Sequence, residues 1–263
     1  MNLVFYLLAI AIGVITGGIT SFIGASGVMI IVPILTMLFK LSVHTAIGTS
    51  LFVDVIASLT VAYSYYKSGN MELKSGIWIA LTSIIGAQLG AFFASKMGEG
   101  NLSTSFGIVL VIAGLSMLRK SYKEKSDSSD TISGFLHFKT EWQKILAALI
   151  IGLGIGILSG IFGAGGGVMI LLALIVLMSF PLHKAIGTST LIMTITALSS
   201  AVGYAARGNI DLVLGSLIAV GAVLGGVLGS RYANKVNEKT LQRAVGICFA
   251  AMGVVMTAIA IIK

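Results

Sequence analysis

Charge, proline and cysteine are all scarce in this chain of 263 residues: Asp, Glu, Lys and Arg together make up 10%, there are two prolines, and Cys248 is the single cysteine. A soluble domain carries about 25% charged residues, so this composition excludes a soluble globular protein. One cysteine excludes an intrachain disulfide. With no basic neighbour in sequence, Cys248 reads as a small apolar side chain and not as a reactive thiol. The chain also lacks a nucleophile paired with a base, a phosphate loop followed by lysine, and any Cys/His cluster. No catalytic constellation, metal site or cofactor is therefore expected.

What is abundant is apolar. Hydrophobic residues make up 57% of the chain, with 33 glycines and a mean hydropathy of +1.04. Such a chain has lipid as its solvent, and its glycines let membrane helices approach closely. The formal charge of +8 would suggest nucleic acid in a soluble protein. Here it records basic loops facing the cytoplasm, and no nucleic-acid partner is expected. The apolar first twenty residues lack a basic leading region and are not expected to be a cleaved signal peptide.

Ten hydrophobic stretches follow one another: Leu3 to Ile23, Val28 to Phe39, Ala46 to Tyr66, Gly76 to Ala94 and Leu102 to Leu118, then Ile145 to Phe162, Val168 to Phe180, Ala185 to Ala206, Leu212 to Ala233 and Leu241 to Ile262. Most approach the ~20 residues that span a ~30 Å hydrocarbon core. Val28 to Phe39 and Val168 to Phe180 are too short, and they match in position.

The match is part of a duplication. His44-Thr45-Ala46-Ile47-Gly48-Thr49-Ser50 recurs as His183-Lys184-Ala185-Ile186-Gly187-Thr188-Ser189, and Gly69-Asn70 recurs as Gly208-Asn209. Gly76, Gly86, Gly90, Lys96 and Glu99 fall without a gap on Gly215, Gly225, Gly229, Lys235 and Glu238. Upstream, with one residue of slippage, Phe22 to Ile30 matches Phe162 to Ile170. Coincidence does not produce this order. The organisation expected is a first transmembrane repeat over 1–118, a polar linker over 119–144 and a second repeat over 145–263. The linker reads as a solvated cytoplasmic loop.

If each half crosses an odd number of times, thirteen of the 17 Lys and Arg residues fall on one side, leaving Lys40, Lys96, Arg207 and Lys263 on the other. By the positive-inside rule both termini lie outside and the linker inside, which makes the halves inverted repeats. A parallel arrangement gives a weaker split. Ten, eight or six full spans all satisfy the count. The fold class expected is an all-α polytopic membrane protein with two inverted repeats, about 8 to 10 hydrophobic helical segments, and short broken or re-entrant helices after glycine-rich turns.

Those turns, Gly24-Ala25-Ser26-Gly27 and Gly163-Ala164-Gly165-Gly166-Gly167, each precede a helix too short to cross. Glycine lets backbone N–H groups turn towards one point, and a helix N-terminus adds about half a positive charge, so the break can cradle an anion without a basic side chain. Thr49, Ser50, Thr188 and Ser189 place hydroxyls where they line the same cavity, or bond back to their own helices. His44 and His183 read as snorkelling or capping groups, or as residues that mark an interface, donate to the anion or carry protons. Asp54, inside the apolar run LFVDVIASL, is costly there unless paired, protonated or facing water, and its repeat partner is Met193. That one-sidedness points to coupling or gating. Lys184 and Arg207 read as loop charges, and Gly86/Gly90 and Gly225/Gly229 as helix-packing spacings.

The twin FIGASG and FGAGGG turns, the twin HxAIGTS segments and the twin GN turns, in a duplicated chain of this length, resemble the sulfite exporter TauE/SafE family of membrane permeases. The resemblance covers all but the linker. It implies a bacterial or archaeal inner-membrane transporter of small anions, typically sulfur-containing ones such as sulfite, sulfoacetate or another organosulfonate. By position the family's motif falls on Gly24 to Gly27 with Pro33, His44 and Gly48 to Ser50, then on Gly163 to Gly167, His183 and Gly187 to Ser189. Two departures stand out: GASG replaces a run of glycines in the first turn, and Ala173 stands in the second short helix where Pro33 stands in the first.

The function expected is secondary transport of a small anion by alternating access, with protons as a candidate coupling ion and the anion held where the two turns face each other. An anion channel and a non-transporting accessory subunit of a sulfur-metabolism enzyme are the alternatives. Substrate identity, direction and oligomeric state stay open.

Overall fold

The computed structural model describes residues 3–94, 166–176, 178 and 180–262, together with separate helical positions within 111–115 and 142–157. Among these residues every regular element is an α-helix. The first half supplies α1 (Leu3–Ile23), α2 (Val28–Met37), α3 (Val43–Lys67) and α4 (Leu73–Ala94). The second supplies α5 (Gly166–Val176), α6 (Leu182–Ala205), α7 (Leu212–Ala233) and α8 (Glu238–Ile262). The stretches Phe5–Ile23, His44–Lys67, Leu182–Ala205 and Leu212–Ala233 are long and apolar enough to cross a bilayer. At 10 and 11 residues, α2 and α5 reach only about 15 Å at the α-helical rise. Of the linker the structure describes Trp142, which is exposed.

Local chemistry sets the boundaries. The Ser42 hydroxyl accepts the Thr45 amide at 3.2 Å, so α3 starts at Val43, ahead of the apolar run at Ala46, and takes in His44. Asp211 accepts the Leu214 amide at 3.0 Å and caps α7. A side-chain acceptor at this place satisfies an amide that the helix leaves without a partner. At their other ends α3 and α6 close alike. The Asn70 amide bonds the Tyr65 carbonyl at 2.9 Å and the Asn209 amide the Tyr204 carbonyl at 3.0 Å. In both turns the preceding glycine takes a left-handed φ, +73° at Gly69 and +70° at Gly208, a conformation that costs any residue with a Cβ.

Helix directions follow from which residues meet. Gly48, near the start of α3, lies against Tyr204 in the last turn of α6 and Asn209 just beyond it. Gly187, near the start of α6, lies against Tyr65 in the last turn of α3 and Asn70 just beyond it. Between them the Ser58 and Thr194 hydroxyls meet at 2.9 Å. The two corresponding helices therefore run antiparallel, as an inverted duplication requires.

The halves are interleaved. The most extensive packing joins α1 to α7, where Gly13 meets Gly221 and Ala222, Gly225 meets Val14, and Gly229 meets Gly18 and Ser21. Small residues are needed there because a Cβ would overlap the facing backbone. The reciprocal pair is α4 and the helical positions of the second half near 152–157, with Gly86 against Leu153 and Gly156. Thus α4 packs on the described helical positions ahead of α5, as α7, its repeat counterpart, packs on α1. Gly86, Gly225 and Gly229 pack against facing helices, as their sequence context suggests; the surroundings of Gly90 lie outside the described residues.

Candidate functional site

The first glycine-rich turn is built by residues of three helices. Gly24 has φ +62°, which sends the chain back into the bundle after α1. Its carbonyl accepts the Ser189 hydroxyl at 3.0 Å, and the space a Cβ would need is filled by Ser189 and Ile186. Thr16 and Thr20 of α1 close on Gly27 from the other side.

The turn's donors meet an anion of the protein's own. Asp54, midway along α3 and 3% exposed, accepts the Ser26 hydroxyl on Oδ2 at 2.8 Å. Its Oδ1 accepts the Gly27 amide at 3.2 Å. Ser26 Oγ in turn accepts the Val28 amide at 3.2 Å, and the Ile30 and Ile31 amides bond the Gly27 carbonyl, both at 3.0 Å. The carboxylate sits at the N-terminus of α2, where helix polarity favours negative charge. Among the described residues Asp54 is the one buried side chain of charged type.

The second turn comes to the same place. A Cβ on Gly167, in the first turn of α5, would lie 2.7 Å from the Ser26 amide nitrogen and 3.1 Å from Ala25 Cα. The twin turns therefore touch, in mid-bundle. That Cβ would also lie 2.5 Å from the Met193 sulfur, so Met193 stands to Gly167 as Asp54 stands to Gly27. Gly166 opens α5, and Gly163, Ala164 and Gly165 lie outside the described residues.

The remaining residues singled out from sequence separate. Ser189 joins the first turn. Ser50, buried, bonds back to the Ile47 carbonyl at 2.8 Å. Thr49 and Thr188 do not share a cavity: Thr49 accepts the Asp211 amide at 2.9 Å and Thr188 the Glu72 amide at 3.1 Å, at opposite ends of the bundle. His44 is exposed on the first turn of α3. His183 Nε2 lies 3.1 Å from both the Ala233 and Val236 carbonyls, where it closes the end of α7, and Glu238 accepts the Leu182 amide beside it. Among the described residues neither histidine reaches the turns.

Sequence reasoning missed Ser58 and Thr194, both buried, which tie α3 to α6 next to Asp54. Ser58 donates to the Asp54 carbonyl at 2.6 Å. Their repeat partners, Ala197 and Val55, are apolar, so the duplication offered no signal for them.

The model of the family described as sulfite exporter TauE/SafE matches residues 9–256. A probable membrane transporter protein of Bacillus subtilis, YdhB, is 29% identical over 95% of this chain and 99% of its own length. Another from the same organism, YunE, is 28% identical over 94% and 96%. A third, MJ0441 of Methanocaldococcus jannaschii, is 26% identical over 95% and 94%. Each is described in its own organism as a probable membrane transporter and nothing finer.

Proposed function

The chain belongs to the sulfite exporter TauE/SafE family of multi-pass membrane transporters, and from that membership we propose that it carries a small, sulfur-containing anion across the inner membrane by alternating access, coupled to protons through Asp54. The observation that carries this reading is the contact of the two glycine-rich turns in mid-bundle, with Gly167 against Ser26 and the Ser26 hydroxyl and Gly27 amide already turned on a carboxylate. A pair of broken helices whose N-termini meet near the bilayer midplane suits an anion that must shed water without meeting a fixed cation. Sulfite, sulfoacetate and other organosulfonates are the class proposed, and Gly24 to Gly27 with Ser189 and Gly163 to Gly167 the residues around them.

For orientation, the Asn70 side chain donates to Asn234 at 2.7 Å, so the ends bearing Lys67, Lys74, Lys184, Arg231 and Lys235 fall together. That supports a cytoplasmic face at these residues, with the linker on the same side and the termini outside.

The test is flux of sulfite, thiosulfate, sulfoacetate and taurine into proteoliposomes, with and without a pH gradient. Saturable flux of one anion, accelerated by the same anion on the far side and by an inward proton gradient, is expected. Flux that never saturates would make the protein a channel. No flux from folded protein would make it an accessory subunit.

A further inference from the structure

The donors that would seat an anion at the first turn are not free. The Gly27 amide and the Ser26 hydroxyl bond the two oxygens of Asp54, the Val28 amide bonds Ser26, and the Ile30 and Ile31 amides bond Gly27. A carboxylate fills the place a transported anion would need. Two anions sharing so few donors in a buried site cannot both keep their charge.

We infer that Asp54 is the resting occupant of the anion seat, and that a transported anion takes its place only as Asp54 takes up a proton, one proton bound for each anion. The inference rests on the transport reading above and specifies how its site is regulated. Protonation removes the charge that holds Asp54 on Ser26 and Gly27, frees both donors, and leaves a carboxylic acid able to donate to the incoming anion. Anion binding and proton binding then favour each other, and linkage makes the favour reciprocal. Among the described residues Asp54 has no equivalent at Gly167, where the side chain is the thioether of Met193. The described residues thus supply one proton site.

Among the described residues no cation offers an alternative partner for the Asp54 charge. Neither α2 nor α5 carries an ionisable side chain, and α1 carries Tyr6 alone, near its start. On α6 the ionisable groups are His183 and Lys184 in the first turn and Tyr204 in the last. On α7 they are Arg231 and Tyr232 in the last turns, with Asp211 committed to the cap at the other end. On α3 itself His44 lies in the first turn, and Tyr63, Tyr65, Tyr66 and Lys67 in the last two.

The experiment measures protons and anions together on the purified full-length chain in detergent. Thiosulfate and sulfoacetate serve as probes because neither titrates near neutral pH. Binding is followed by calorimetry, and proton uptake by an indicator dye in weak buffer. At neutral and alkaline pH the wild type is expected to take up one proton per anion, with affinity falling about tenfold per pH unit, the slope of a single linked proton. Asp54→Asn, and Asp54→Met as the second variant, should bind the same probe with pH-independent affinity and no proton uptake. Binding to wild type without proton uptake would overturn the inference and leave the transport reading standing. So would uptake that persists in a folded Asp54 variant. Absence of binding by either probe at every pH would overturn both readings. If neither variant folds, the wild-type stoichiometry decides.

Discussion

Asp54 and Met193 hold equivalent positions in the two halves. The carboxylate of one bonds the Gly27 amide at 3.2 Å, and the thioether of the other lies against Gly167, 2.5 Å from where a Cβ would stand. At equivalent positions the two halves thus carry different chemistry, one ionisable and one not.

Met193→Asp tests that asymmetry. It buries a second carboxylate where no described cation stands and the first is already seated, a situation that costs about 3–5 kcal/mol when a buried charge lacks its partner. The variant should melt well below wild type in detergent, and Asp54→Met in the same chain should recover part of the loss. An unchanged melting temperature for Met193→Asp would mean that the Met193 position is wet.

Gly167→Ala tests the contact between the turns. Its methyl would meet the Ser26 backbone and the Met193 sulfur, and backbone cannot yield as a flexible side chain can, so the turns must part. Flux of the transported anion should fall at least about tenfold, equivalent to about 1.4 kcal/mol or more of lost transition-state stabilisation, with normal amounts of inserted protein. Gly203→Ala is the control, since nothing lies within 4 Å of its added carbon. That change in a helix should stabilise by about 0.4–1 kcal/mol.

Thr49→Val and Thr188→Val test two of the connections between halves. Each removes the acceptor of one partly buried amide, Asp211 or Glu72, and an amide left unsatisfied costs about 1–3 kcal/mol. The two sites lie at opposite ends of the bundle, so their effects should add to within about 0.5 kcal/mol in the double variant. Denaturation of the single and double variants measures this. Marked non-additivity would show that the threonines share one site, as the sequence alone suggests.

His183→Gln separates the histidines from Asp54. Its ring nitrogen holds the Ala233 and Val236 carbonyls, so the variant should lose some stability, about 1 kcal/mol for a hydrogen bond of this kind, and keep the wild-type pH dependence of flux. Asp54→Asn should do the reverse with respect to pH. A flattened pH profile in His183→Gln would move proton coupling to the histidine.

Much of this was legible without coordinates. Composition and run length mark α1, α3, α6 and α7 as spans, because a helix in lipid needs about 20 apolar residues whatever its neighbours are. The bounds of α1 and α7 coincide with the hydrophobic runs Leu3 to Ile23 and Leu212 to Ala233. Those of α3 do not, because the hydroxyl of Ser42 extends the helix past the apolar run. The turns and Asp54 stood out because their residue types are costly or unusual in an apolar chain. Thr49 and Thr188 misled because a hydroxyl motif looks the same whether it faces an anion or an amide from the other half.

The membrane setting, the duplication, the two short helices and the residues at the turns are all written in the order of residues, since each follows from local composition or from one segment's likeness to another. It took the packed helices to show that the halves interleave, that Asp54 sits on the donors of the first turn, and that Thr49 and Thr188 lie at opposite ends. The first and the last depend on surfaces that meet across 100 residues or more of chain, as Ser21 does with the Gly226 carbonyl at 2.9 Å, and the second on how α3 folds back on the turn ahead of α2. A helix in lipid satisfies its own backbone, so its partners are chosen by close packing of small side chains and by a few buried hydrogen bonds. Periodicity within one segment carries no record of that choice.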